Sequence, residues 1–218
     1  MVQILKTTFL VLTALFPIVN PLGGAPIFLS LTHYYSEKDR RQLSRRIAVN
    51  GFILLMGSYL IGTRILTFFD ISLPVVQVSG GLVVIATAWT LLKKTDEEND
   101  SRKEVQRSVE RTDLSRRAFY PLTLPLTVGP GAISVAITLG VNEPHRGLVM
   151  LYAISGALAG SMLIATCIYL CYSLADRLAR VLGATAMSVI MRLSSFLLIC
   201  IGVQILWNGV SALLKSLP

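Results

Sequence analysis

Hydrophobic residues in this chain come in long continuous runs, without the alternation of half-buried strands or the narrow apolar stripe of a surface helix. Six runs are distinguishable, at about Ile4 to Thr32, Ile47 to Phe69, Ile71 to Leu92, Phe119 to Leu139, Leu148 to Tyr172 and Val189 to Leu214. Each is near or above the roughly 20 residues that carry an α-helix across a bilayer. The pattern therefore predicts an all-α transmembrane fold of six helices, some of them joined by short connections, such as Asp70 and the stretch from Asn142 to Arg146. Short connections imply antiparallel neighbours.

Two of the six runs are interrupted. The first reads LFPIVNPLGGAPIFLSLT from Leu15 to Thr32, and the fourth reads YPLTLPLTVGPGAISVAIT from Tyr120 to Thr138. Proline removes its own N–H and clashes with the carbonyl four residues earlier. These breaks should free the carbonyls of Thr13, Pro17 and Leu22 in the first run and of Pro121 and Leu126 in the fourth. Non-helical backbone at membrane depth is tolerated only against protein or a polar cavity. Paired breaks in corresponding segments are the sequence sign of a transport site.

Composition agrees with a membrane protein: hydrophobic residues make up 53% of the chain, charged residues 15%, and the mean hydropathy is +0.66. The net charge of +8 would suit a nucleic-acid binder, but its placement argues for topology instead. Of the 20 Lys and Arg, sixteen fall between runs one and two, three and four, and five and six; only Lys6, Arg64, Arg146 and Lys215 lie on the other side. This positive-inside bias puts the three basic loops in the cytoplasm and both termini outside. No nucleic-acid partner is expected. Lys6 precedes an apolar run as in a signal peptide, but the run continues to Thr32 and the stronger basic cluster follows it, which suits an uncleaved first span. The three cysteines, Cys167, Cys171 and Cys200, lie within spans without a CxxC pair and read as small apolar filler.

The chain divides into residues 1–92 with three spans, a basic linker at 93–118, and residues 119–218 with three more. Gln77 to Leu92 aligns without a gap to Arg192 to Trp207, and Asn20 to Ala25 corresponds, with a one-residue gap, to Gly129 to Ala132. An odd number of crossings per set makes the second copy enter from the opposite side, so the expectation is two inverted-topology three-helix repeats with helices 1 and 4 discontinuous at their Pro/Gly breaks. The linker mixes both signs of charge and reads as a solvated, partly disordered segment. Small residues at helical spacing, Gly156 with Gly160 and Ser58 with Gly62, favour close packing within or between protomers, so a homo-oligomer is compatible.

A half-helix that restarts after a proline presents unpartnered N–H groups and about half a positive charge at its first turn. Gly23, Gly24 and Gly131 have no side chain to hold a ligand off that backbone. A carboxylate fits the N–H groups and an ammonium fits the freed carbonyls, so a small zwitterion is the expected ligand. No Arg, Lys, Asp or Glu lies in these segments to meet a charged side chain. The candidate substrate-binding residues are Asn20, Pro21, Gly23 and Gly24 from one break and Thr127, Gly129, Pro130 and Gly131 from the other. Thr13, Ser30, Thr123 and Ser134 are further polar neighbours; Asn50, Gln77, Gln204 and Asn208 on other spans read better as interhelical hydrogen-bonding residues. No metal and no cofactor is expected.

The segments FPIVNPLGGAPIFLSLT and PLTLPLTVGPGAISVAIT, set in six spans over essentially the whole chain, resemble the MarC family of bacterial inner-membrane proteins, related more distantly to the lysine-exporter type superfamily. The resemblance implies a polytopic inner-membrane protein, with small neutral amino acid transport reported for some members. The historical family name implies multiple antibiotic resistance without establishing drug efflux. The expected function is a secondary transporter of a small neutral amino acid or similar metabolite, in contact with the lipid bilayer, working by alternating access. A channel or a structural or regulatory membrane protein is the alternative. A thiol–disulfide carrier would need a redox cysteine in each broken span, and neither has one. An intramembrane hydrolase would need an HExxH motif or a base at membrane depth; His33 and His145 lie at span ends, so no enzyme is expected.

Overall fold

The computed structural model of the protein describes residues 2–32, 35–93, 117–142 and 147–216. Among these residues every regular element is helical. In chain order they are α1 (Val2–Val19), α2 (Pro21–Thr32), α3 (Glu37–Phe68), α4 (Leu73–Lys93), α5 (Ala118–Thr127), α6 (Pro130–Val141), α7 (Gly147–Ser173) and α8 (Ala175–Lys215). Five helical segments are long and apolar enough to cross a membrane, α1 with α2 counting as one, and six if the bent pair α5 and α6 is one span. The linker segment 94–116 and residues His33 and His145 lie outside the described residues.

Two helices run beyond the apolar stretches that announce them. α3 begins at Glu37, ten positions before the apolar run, because Ser36 caps it: its hydroxyl oxygen accepts the Asp39 N–H at 3.2 Å, and Glu37 and Asp39 stand in the first turn where the dipole favours acids. Charge alone does not stop a helix, so the basic segment continues into the spanning one. α8 likewise starts at Ala175 and carries a break at Gly183, whose φ of 74° and ψ of 169° belong to a region essentially reserved for glycine.

Helix packing in lipid is governed by close approach and polar contact, since the hydrocarbon outside is as apolar as the bundle inside. Glycines supply that approach. A Cβ on Gly81 of α4 would lie 2.7 Å from the Gly202 carbonyl oxygen of α8, and one on Gly202 would lie 3.0 Å from that of Gly81. Gly156 and Gly160 of α7 sit against Ile4, Thr7 and Val11 of α1, where Thr8 Oγ1 donates to the Gly156 carbonyl at 3.1 Å. Gly140 of α6 lies against the Tyr59 backbone of α3, and Gly62 of α3 faces Ile137 of α6. α4 packs along α8, and α3 lies between α7 and the pair α5–α6. The core runs through α1, α3 and α7 and includes Leu15, Leu43, Ile47, Leu55, Ile164 and Ile168, while Phe68, Leu193 and Trp207 point outward.

Candidate functional site

Asn20 separates α1 from α2. Its φ is 46°, the left-handed region that asparagine tolerates better than most residues. The backbone is nevertheless bonded through: the Asn20 N–H donates to the Phe16 carbonyl at 2.9 Å and the Gly24 N–H to the Asn20 carbonyl at 2.9 Å. Asn20 Oδ1 accepts the Gly23 N–H at 3.1 Å, so this residue is the N-cap of α2. Part of the donor set expected for a ligand at the first break is thus taken by the protein. The Nδ2 group has no hydrogen-bond partner among the described residues and remains a donor at the same place.

The second break is built differently. The residues of α5 wind wide, with Val128 N–H donating to Thr123 O at 2.9 Å, and Tyr120 and Leu124 extended within the segment. Pro121 and Pro125 have no N–H to offer, and two threonine hydroxyls of the segment bond carbonyls five residues back: Thr123 Oγ1 donates to Ala118 O at 2.6 Å and Thr127 Oγ1 to Leu122 O at 2.7 Å. The chain then bends by 70° into α6. Gly129 is the N-cap of α6 with extended backbone (φ −84°, ψ 176°), Pro130 follows, and no side chain caps the helix. The Gly131 and Ala132 N–H groups are therefore donors that no capping side chain occupies. The Leu126 carbonyl loses its helical partner to Pro130.

Residues from the two breaks meet on one cavity of about 60 Å³. By this measure one water needs roughly 10–15 Å³, so the space suits a molecule of a few heavy atoms. Asn20, Gly23, Gly24, Thr127, Gly129, Pro130 and Gly131 all line it. Pro21, the eighth candidate, is buried in the first turn of α2 and is not among the lining residues. No lining residue is ionisable. Leu126 also lines the cavity, which brings its freed carbonyl into the neighbourhood of the α6 N-terminus.

The other polar candidates have different employment. Thr13 and Ser30 are exposed and bond to carbonyls of their own helices. Ser134 Oγ donates to Val76 O at 3.0 Å, joining α6 to α4. Asn50 Nδ2 lies 3.5 Å from Thr123 Oγ1 and Gln77 Nε2 lies 3.5 Å from Thr138 Oγ1, at the long limit of a hydrogen bond between helices. Gln204 and Asn208 bond to each other at 2.9 Å along an exposed face of α8.

Sequence reasoning missed the wall that α4 contributes, Val83, Val84, Thr87 and Leu91, although their spacing marks one helical face. It also missed Tyr172. This fully buried residue of α7 stacks on Phe28 with ring centroids 4.7 Å apart, and its hydroxyl is 2.9 Å from Thr127 Oγ1. Since the Thr127 proton is already given to Leu122, Tyr172 is the donor in that pair. The same hydroxyl would stand 2.5 Å from a Cβ on Gly24, so Tyr172 fastens the two breaks to each other.

This contact yields a measurable coupling. Gly24→Ala is expected to cost about 1–3 kcal/mol through overpacking, and Tyr172→Phe about 0.5–1.5 kcal/mol through a lost buried hydrogen bond. The double variant should be more stable than the sum, because removal of the hydroxyl leaves ring carbon, at 3.3 Å, as the nearest atom to the new methyl. Thermal unfolding midpoints of the four proteins in detergent check it; strictly additive losses would disprove the contact.

Comparison with known proteins agrees with this architecture. Residues 5–214 match the family described as MarC family integral membrane protein. The inner membrane protein MarC of Salmonella typhimurium is 30% identical over 219 aligned positions, covering 99% of both chains. Membrane protein YhcE of Escherichia coli K12 is 30% identical across 93% of this chain and 91% of its own. A membrane protein of Archaeoglobus fulgidus is 30% identical across 94% and 92% respectively. No solved structure matches. By a match that runs nearly from end to end, and by relatives of the same length, the chain belongs to the MarC family of integral membrane proteins.

Proposed function

We propose that the protein is an inner-membrane secondary carrier that moves a small neutral amino acid, or a similar small zwitterion, by alternating access at a site built from its two helix breaks. The observation that carries this reading is the convergence of seven residues, from segments about a hundred positions apart, on one small cavity without an ionisable side chain. A carboxylate would accept from the Gly131 and Ala132 N–H groups at the uncapped start of α6 and from Asn20 Nδ2. The ammonium would donate to the Leu126 carbonyl. The cavity's small size and the apolar side chains of Ile18, Val84 and Leu198 leave room only for a short neutral side chain.

The division into residues 1–92 and 119–218 as inverted repeats belongs to the same reading. Its support is reciprocity in the packing. Exchanging α1–α2 with α5–α6, α3 with α7 and α4 with α8 maps contacts onto contacts: α1 meets α7 as α5 meets α3, α2 meets α8 as α6 meets α4, and α3–α7 and α4–α8 map onto themselves. A cavity at such an interface is suited to exposure on alternate sides as one half rocks against the other. With the basic loops in the cytoplasm and both termini outside, the α4 wall from Val83 to Leu91 extends toward the cytoplasmic end at Lys93. On that assignment the cavity is approached from inside.

The test is flux. Purified protein in liposomes is expected to accelerate uptake of radiolabelled alanine, glycine or serine, to saturate, and to support counterflow when the lumen is preloaded with unlabelled substrate. Saturable flux without counterflow, or flux linear in concentration, would favour a channel and end the carrier reading. Repeating the assay under imposed proton and sodium gradients identifies the coupling ion.

A further inference from the structure

At the ends of the spans that carry the basic loops, the first turns of α3 and the α7–α8 junction enclose a second cavity of about 250 Å³. Its charged lining is unbalanced. Lys38, Arg40, Arg41, Arg177 and Arg180 face it against only Glu37 and Asp176. One of those acids is already committed: Arg40 Nη2 and Asp176 Oδ2 are 2.6 Å apart, and both side chains are partly buried. Arg40 Nη1 donates in addition to the Tyr35 carbonyl at 2.9 Å and the Thr32 carbonyl at 3.4 Å. Its Nε–H is buried with no hydrogen-bond partner. The guanidinium is therefore fixed, while Lys38, Arg41, Arg177 and Arg180 are exposed.

Three further facts narrow the chemistry. The charge excess around the cavity is three positive units, so gathering these side chains costs repulsion that a bound anion would relieve. The N-terminus of α8 opens at the same place with no side-chain cap, adding oriented N–H donors. The apolar run of α3 starts only at Ile47, ten residues past Glu37, which puts the cavity at the level of lipid headgroups and not in the hydrocarbon. Basic pockets between helices at that level are the form that anionic headgroup sites take.

We infer that this cavity binds a phosphate group, carried by an anionic phospholipid headgroup or free in solution. Arg41 and Arg177 supply exposed charge from the two helices, and the Arg40–Asp176 pair holds the walls together. The site is separate from the cavity at the breaks and shares no lining residue with it.

The experiment is thermal unfolding of the purified full chain in a zwitterionic detergent, with three probes titrated separately: inorganic phosphate, phosphatidylglycerol and phosphatidylcholine. Phosphatidylglycerol, inorganic phosphate or both should raise the midpoint in a saturable way, and phosphatidylcholine should not. A response to the lipid alone identifies a headgroup site; a response to phosphate alone identifies a solute site. Removing charge with Arg41→Gln and Arg177→Gln together should weaken binding about 30-fold. Arg45→Gln with Arg192→Gln removes the same charge from residues that do not line the cavity, and should weaken it far less. Equal weakening in both pairs, equal stabilisation by phosphatidylcholine, or no stabilisation by either anionic probe would overturn the inference.

Discussion

Gly131→Ala is expected to reduce amino acid flux in liposomes at least about tenfold, and also to lower the thermal midpoint. A Cβ at this position runs into Val84 Cγ2 of α4, a β-branched side chain with few rotamers in a helix to retreat to. Overpacking of this kind costs about 1–3 kcal/mol. Loss of flux alone would therefore not separate binding from folding. Val84→Ala does separate them. With both γ carbons gone, the next atom from the new methyl is the Gly80 carbonyl oxygen at 3.4 Å, an ordinary contact. Gly131→Ala with Val84→Ala should regain the thermal midpoint of Val84→Ala alone while flux stays low, because the methyl still stands beside the uncapped N–H groups at the start of α6. Recovery of flux together with stability would make Gly131 a packing residue and remove the α6 N-terminus from the site.

The helix starts at Pro21 and Pro130 are local in origin. Pro21 and Pro130 each begin a helix at its first position, and that placement follows from the missing N–H whatever the rest of the chain does. The spans were legible for an equally local reason, the length of apolar sequence needed to cross hydrocarbon. What escaped depends on residues far apart in the chain. Tyr172 meets Thr127 across 45 positions, and Arg40 meets Asp176 across more than a hundred; neither residue carries a signal in its own neighbourhood. The wide winding of α5 also escaped, since it relies on Thr123 and Thr127 bonding five residues back, an arrangement that ordinary helical spacing does not suggest.

The two breaks also turned out chemically unequal. The correspondence of Asn20 to Gly24 with Gly129 to Ala132 treats both restarting helices as open donor sites. In the structure Asn20 serves α2 with its own oxygen, whereas Gly129, lacking a side chain, leaves α6 unserved. A carrier for zwitterions has a use for that difference: one strong site for the carboxylate is enough, and a second open helix end would favour a dianion. The asymmetry thus agrees with a ligand bearing a single negative charge.

Asn20 carries three roles that substitutions can pull apart. Its φ of 46° strains any residue with a Cβ by about 1–2 kcal/mol, least for asparagine. Its Oδ1 caps α2, a bond whose loss to alanine costs about 1 kcal/mol. Its Nδ2 is the donor proposed for substrate. Asn20→Ala loses all three and should fall in both stability and flux. Asn20→Gly relieves the backbone, and glycine as an N-cap gives up only a few tenths of a kcal/mol. It should unfold within about a degree or two of the parent while flux drops at least about tenfold, since only the side-chain donor has gone. Asn20→Asp keeps the capping oxygen but replaces the donor by a second acceptor, so it should fold and transport no better than the glycine variant. Thermal midpoints and initial rates of alanine uptake, measured on the same preparations, decide the matter. Parental flux in Asn20→Gly would confine Asn20 to capping, and the carboxylate would then rest on the α6 N-terminus alone.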